Sequence, residues 1–330
     1  MPARDKCMKS MGRFMLARLK NPNTIVILIG TIAVLVLACV VPRFLTFRNI
    51  SAVIVQASST GVMAIGLTFV IITSGIDLSL PTTMALSAIL GCMVMSSTQS
   101  LLLGVLTTLV IGIAIGCLNG FSVARLKMIP MIVTLAISTI NWGTSNWITG
   151  AQSVGNLPPS FTAVFNGSIL GLPVQALILL LFAAIMHLLL SQTIFGRDLF
   201  AIGVNERTAR VNGVKTERII FLVYVISGFA AGLAGILGAA KLNSAGPTMG
   251  PQAMFLDVVC AVVLGGASVM GGSGSIIGTV IGSLFIAVIS NVMNLMNIDF
   301  FITFLFKGAI IIVIVFVDVL RNRARIGERE

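Results

Sequence analysis

Charge is scarce in this sequence. Only 9% of its 330 residues are Asp, Glu, Lys or Arg, where a soluble domain carries roughly 25%. Between Met128 and Gly196 there is none, and between Leu242 and Ile298 the single one is Asp257. With 57% hydrophobic residues, tracts of this kind exclude an ordinary soluble domain and belong in lipid.

Other absences narrow the chemistry. The one histidine, His187, lies in an apolar run. There is no GxxxxGK[ST] loop, no HExxH and no convergent acid–base pair. The chain is therefore expected neither to hold ATP in the P-loop manner nor to be an enzyme, and no metal or cofactor is expected. Gly272-Ser273-Gly274 followed by Gly278 resembles a dinucleotide fingerprint, but no βαβ unit surrounds it, so a tight turn and helix packing explain it better. The five cysteines form no CxxC pair and four lie in apolar segments, which reads as small hydrophobic residues rather than a disulfide framework.

What is present is hydrophobic length. A membrane helix needs ~20 mostly apolar residues, and ten stretches come near this: 25–41, 52–74, 81–97, 101–124, 131–149, 172–191, 219–240, 255–270, 275–297 and 301–320. The third, fifth and eighth are short or interrupted by polar residues, so breaks or tilts are expected there. The basic start resembles a secretory signal, but the exit Val40-Val41-Pro42-Arg43 offers no small-residue cleavage site, which predicts an uncleaved first helix.

The net charge of +11 would suggest nucleic acid in a soluble protein. Here orientation explains it better, because cytoplasmic loops accumulate Lys and Arg. Segments 1–24, 125–130, 192–218 and 321–330 hold seventeen of the 21 basic residues. The expectation is an all-α integral membrane protein of about ten helices. It has a cytoplasmic basic amino terminus (1–24), one transmembrane domain (25–320) with a charged cytoplasmic loop (192–218), and a cytoplasmic tail (321–330). No nucleic-acid partner is expected.

Glycines recur at four-residue spacing (Gly112, Gly116, Gly120; Gly228, Gly232; Gly274, Gly278, Gly282). With little hydrophobic drive between helices in lipid, such small faces supply close packing. Charged groups within the apolar tracts are the functional candidates. Asp77 and Asp257 lie near predicted membrane edges, where a helix cap or an interhelical hydrogen bond competes with a direct role. Lys307 reads as a side chain snorkelling to the interface. Asn119, Thr134, Asn141, Ser145 and Asn146 are polar groups in apolar helices; they are candidates for a weakly polar translocation path, with hydrogen bonding between helices the equally open alternative.

The loop at 192–218 is dense in charge. It predicts a short amphipathic helix framed by Gly203 and Gly213, which would let the chain turn in and out. Asn205 would cap it, Glu206 would sit at its positive end, and Arg210 would pair with Glu206 one turn on. Arg207 and Ala209 lie on the same helix. A rigid charged helix leaving a membrane bundle suits a soluble partner.

This loop resembles the coupling loop of the permease subunits of ribose-type ATP-binding-cassette sugar importers: Phe195-Gly196-Arg197, Gly203, Asn205, Ala209 and Gly213-Val214 match, while Val204 and Thr208 depart. Three more stretches resemble the same family in order. They are Gly75-Ile76-Asp77-Leu78-Ser79 (with Leu80-Pro81 a departure), Asn119-Gly120 with Pro130-Met131-Ile132-Val133-Thr134-Leu135, and the glycine-rich block from Leu256 to Gly282. The resemblance implies a homodimeric inner-membrane permease with the inverted-repeat bundle of the cobalamin-type importers. It also implies a pair of cytoplasmic ATPase subunits and a periplasmic or lipid-anchored sugar-binding protein as partners. An ion-coupled secondary transporter is the alternative, against which the scarcity of deep acids counts.

Overall fold

The computed structural model describes residues 44–251, 254–299, 301–309, 312 and 316. Most of them are helical. The order is α1 (Phe47–Ile72), α2 (Leu80–Thr98), α3 (Leu101–Gly120, continued by a π-helical turn Phe121–Arg125), α4 (Pro130–Thr149), α5 (Pro159–Phe165), α6 (Val174–Gln192), α7 (Ile194–Val204), α8 (Glu206–Val211), α9 (Thr216–Leu242), α10 (Met254–Leu264) and α11 (Ile276–Leu295). Residues 301–309 are helical as well. Among the described residues one hairpin pairs β1 (Ser168–Ile169) with β2 (Leu172–Pro173). Its turn residues Leu170 and Gly171 both have positive φ, at 52° and 81°, as a type I′ turn requires.

Seven helical stretches among the described residues are long and apolar enough to cross a membrane. The predicted first helix, 25–41, lies outside the described residues, and 301–320 is described only in part. The second to seventh predicted stretches correspond to α1–α4, α6 and α9. At the eighth the helix stops early, as expected: α10 is 11 residues long and ends at Leu264, and the candidate span that includes it begins upstream, at Pro247. Its chain turns at Gly265 and Gly266 and returns through a glycine-rich segment to α11. The third and fifth stretches are unbroken helices, α2 and α4.

Boundaries follow local chemistry. Thr46 caps α1 by accepting from the Asn49 amide, and Ser100 does the same for α3 with Leu103. Pro130 opens α4, where its missing N–H is harmless. Gly150, at φ 58°, closes that helix in the left-handed region.

Helices α1 and α9 occupy the middle of the bundle and are buried along most of their length. Helix α9 packs most extensively on α3, and glycine makes that possible. A Cβ added at Gly112 would stand 2.5 Å from the Gly228 carbonyl oxygen, and one at Gly116 2.5 Å from that of Tyr224. Helices α10 and α11 meet in the same manner, Gly265 against Gly278 and Ala261 against Gly282.

Helix α4 inverts the soluble pattern. Ile132, Leu135, Ile140, Trp142 and Trp147 are exposed, whereas Thr134, Ser138, Asn141 and Ser145 are buried. Apolar outside and polar inside is the arrangement lipid favours.

Gly228→Leu should force α3 and α9 apart and destabilise the protein by at least ~1–3 kcal/mol, read as a lower melting temperature in detergent. Gly143→Ala on α4, where an added Cβ meets nothing within 4 Å, should leave the melting temperature unchanged.

Candidate functional site

The loop between α1 and α2 carries a buried carboxylate. Asp77 is 2% exposed. Its Oδ1 accepts from the Ser79 amide (3.0 Å) and hydroxyl (2.6 Å), and its Oδ2 accepts from the Ser227 hydroxyl of α9 (2.7 Å). Burial pushes this carboxyl above the usual carboxylate range, and the hydrogen bonds from Ser79 and Ser227 oppose that rise. The Ser79 hydroxyl also accepts from Asn119 Nδ2 at 2.8 Å. One acid thus ties α3 and α9 to the residue preceding α2.

Helix α4 closes the same region. The Thr134 hydroxyl accepts from the Leu78 amide (3.1 Å) and can reach the Ile76 carbonyl (3.2 Å). One turn on, the Thr82 hydroxyl donates to that of Ser138 (3.2 Å), and Asn141 Nδ2 donates to the Thr83 hydroxyl (3.0 Å). Of the candidates read from the sequence, Asp77 and Asn119 thus share one cluster through Ser79, while Thr134 and Asn141 bond the same loop and the start of α2 separately. Asn146 stands apart, half-buried, its amide donating to the Trp142 carbonyl (2.8 Å). Asp257 lies elsewhere, in the first turn of α10, with both carboxylate oxygens within 2.8–2.9 Å of Lys307 Nζ. Lys307 is thus buried against Asp257, 7% exposed, where the sequence suggested a snorkelling side chain.

The sequence did not single out Ser79, Thr82, Thr83, Ser138 or Ser227. A signal existed for Ser138: with Thr134, Asn141 and Ser145 it keeps the 4–3–4 spacing of one helix face. None existed for Ser227, whose partner is 150 residues away.

At the other candidate site, α7 and α8 meet at Asn205. Its extended backbone (φ −163°, ψ 105°) separates the helices, and its side chain caps α8 by accepting from the Thr208 amide at 2.9 Å. Glu206 and Arg210 form the expected one-turn ion pair at 2.8 Å, and Ala209 is the buried residue of α8. Arg207 is exposed and pairs with no described residue. Gly213, at φ 86°, supplies the predicted turn. Gly203 does not: it lies inside α7, and an added Cβ would collide with the Ile72 carbonyl and the Gly272 amide. Its glycine serves close packing rather than a turn.

Two residues outside the loop complete this surface. Lys127 lies 3.9 Å from Glu206 and 3.7 Å from Glu217, and Arg125 pairs with Glu217 at 3.1 Å. These exposed pairs are screened by solvent and individually weak, enough to orient α8 without fixing it. A cleft of about 700 Å³ beside them is lined by Phe121, Arg125, Arg210, Glu217 and Phe221 among others. Val204, which ends α7, and Val211, which ends α8, are 76% and 83% exposed.

A family model described as the branched-chain amino acid transport system / permease component matches residues 49–315. The chain belongs to this permease family. Curated relatives span most of its length. A ribose import permease of Bacillus subtilis is 37% identical over 87% of this chain and 89% of its own. The L-arabinose transport system permease of Escherichia coli is 35% identical over 89% and 90%. The D-allose transport system permease of the same organism is 32% identical over 85% and 86%. No solved structure matches. The resemblance carried by the loop and glycine motifs is thus to the right family, one of transport permeases rather than catalytic enzymes. With seven candidate spans, the permease is a multi-pass inner-membrane protein.

Asp77→Ala should leave the Ser79 amide and hydroxyl and the Ser227 hydroxyl without their acceptor and cost about 2–4 kcal/mol. Asp77→Asn, which keeps one acceptor oxygen, should cost less. Thermal unfolding of the two variants in detergent checks this order.

Proposed function

We propose that this permease forms the membrane path of an ATP-driven importer for a monosaccharide. Two copies would pair, cytoplasmic ATPase subunits would grip α8, and a periplasmic or lipid-anchored binding protein would deliver the sugar. The sugar class rests on the relatives, whose names specify ribose, L-arabinose and D-allose. The single structural observation that carries the mechanism is α8. It is a capped charged helix, anchored by buried Ala209 and flanked by exposed Val204 and Val211, and it presents Glu206, Arg207 and Arg210 on its exposed side. Such a helix has too little apolar surface to stand for its own sake and suits a protein partner.

The architecture we assign is ten helices per copy in an inverted repeat like that of the cobalamin-type importers. Residues 1–24 and 321–330 lie in the cytoplasm, and 25–320 form one transmembrane domain. The path follows α4 at the axis between two copies, with half-exposed Asn146 as the lining candidate. Asn119, Thr134, Asn141 and Asp77 act behind it as gating supports, and Asp257 braces α10. Motion reaches them by a short route. The α7 residue Gly203 packs on the Ile72 carbonyl at the end of α1, and Asp77 follows five residues later.

Two experiments test the reading. Cysteines introduced at Ser153 and Thr208 should label from opposite sides of the membrane, Ser153 from outside; labelling from one side removes the topology. In the reconstituted complex, Arg210→Glu with Arg207→Glu, both on the exposed side of α8, should abolish uptake and sugar-stimulated ATP hydrolysis while expression and melting temperature stay normal. Wild-type uptake and hydrolysis in that variant would end the coupling assignment.

A further inference from the structure

A cavity of about 310 Å³ lies at the end of the bundle opposite α8, among α1, α2, α9, α10, α11 and 301–309. Its walls are unlike the rest of the bundle. The Asp257–Lys307 pair forms one side. Around it stand Gln56, Thr60, Lys241, Ser290 and Asn294, whose side chains hydrogen-bond to no described residue. Ser290 is 6% exposed, and its Oγ is a buried group without a partner. Gln56 is half-buried, and Lys241 and Asn294 are exposed along the opening of the cavity; a buried hydroxyl left unpaired is costly, so the space beside Ser290 calls for a polar occupant.

The donor set defines the occupant's chemistry. Two amides and two hydroxyls each both donate and accept, and one ammonium donates. An anion would satisfy Lys241 and the other donors but would leave the acceptors idle. An apolar ligand would satisfy none. A molecule with many hydroxyls, each both donor and acceptor, suits the whole set. Met84, Met249 and Phe304 line the same space and offer apolar surface to C–H faces, the mixture typical of small-molecule sites.

We propose that this cavity is a transient binding subsite for a monosaccharide, contained within one subunit and contacted through Gln56, Thr60, Lys241, Ser290 and Asn294. The Asp257–Lys307 pair holds α10 against 301–309 and so keeps the site's wall in place. The subsite rests on the sugar-import reading and adds a location to it, separate from the α4 path.

Accessibility measurements test it. Single cysteines at Ser290 and at Thr60, in a background free of native cysteines, are placed in the reconstituted importer and treated with a small methanethiosulfonate reagent. D-ribose, L-arabinose and D-allose serve as probes, and uptake of each is measured in parallel. The expected result is modification of both cysteines, slowed several-fold by whichever sugar is imported, with a cysteine at exposed Thr98 unaffected. Should one variant fail to assemble, the other carries the same readout. Import of a sugar without protection at either position overturns the subsite and leaves the import reading standing. Neither import nor protection by any of the three removes both.

Discussion

The contact between α3 and α9 is the constraint on which most of this structure depends. In lipid, helices gain little by hiding apolar surface from one another, so proximity must come from shape. Gly112 and Gly116 meet Gly228 with backbone against backbone. Asn119 lies one turn beyond Gly116, and Ser227 immediately precedes Gly228. Closing the glycine contact therefore carries Asn119 and Ser227 to the two sides of the loop that holds Asp77. A larger residue at the contact would separate the partners of that carboxylate before it touched the carboxylate itself.

A second crossing brings three distant segments to one point. The Gly272 amide donates to the Ile72 carbonyl at 2.9 Å, and the Ser74 hydroxyl donates to the Met270 carbonyl at 3.0 Å. Gly203 of α7 fills the space beside them. The end of α1, the helix before α8 and the turn between α10 and α11 are thereby joined by backbone contacts, which have little room to slip. The ion pairs of Lys127, Arg125, Glu206, Arg210 and Glu217 are different in kind: exposed, screened by salt and individually weak. Rigid contacts lie inside and adjustable ones at the surface, where a partner would act.

Much of this was legible in the sequence because lipid makes severe demands. The scarcity of charge, the lengths of the apolar runs and the glycine spacing led to a helical membrane bundle. The cap at Asn205 and the Glu206–Arg210 pair could be read within one turn, since both are local. The same local view misassigned Gly203 as a turn and Lys307 as a snorkelling side chain. In each case the deciding neighbour, Ile72 and Gly272 for one and Asp257 for the other, is remote in sequence.

By itself the sequence determined class, family and the chemistry of the α8 segment, because hydropathy, helix caps and one-turn ion pairs depend on residues close along the chain. Only the tertiary structure decided which polar groups share a partner. Asp77 with Ser227, Asn141 with Thr83, Lys307 with Asp257, and the polar cavity wall of Gln56, Thr60, Lys241, Ser290 and Asn294 all arise between helices. Their spacing in sequence carries no trace of the contact, because helix packing, not chain proximity, brings them together.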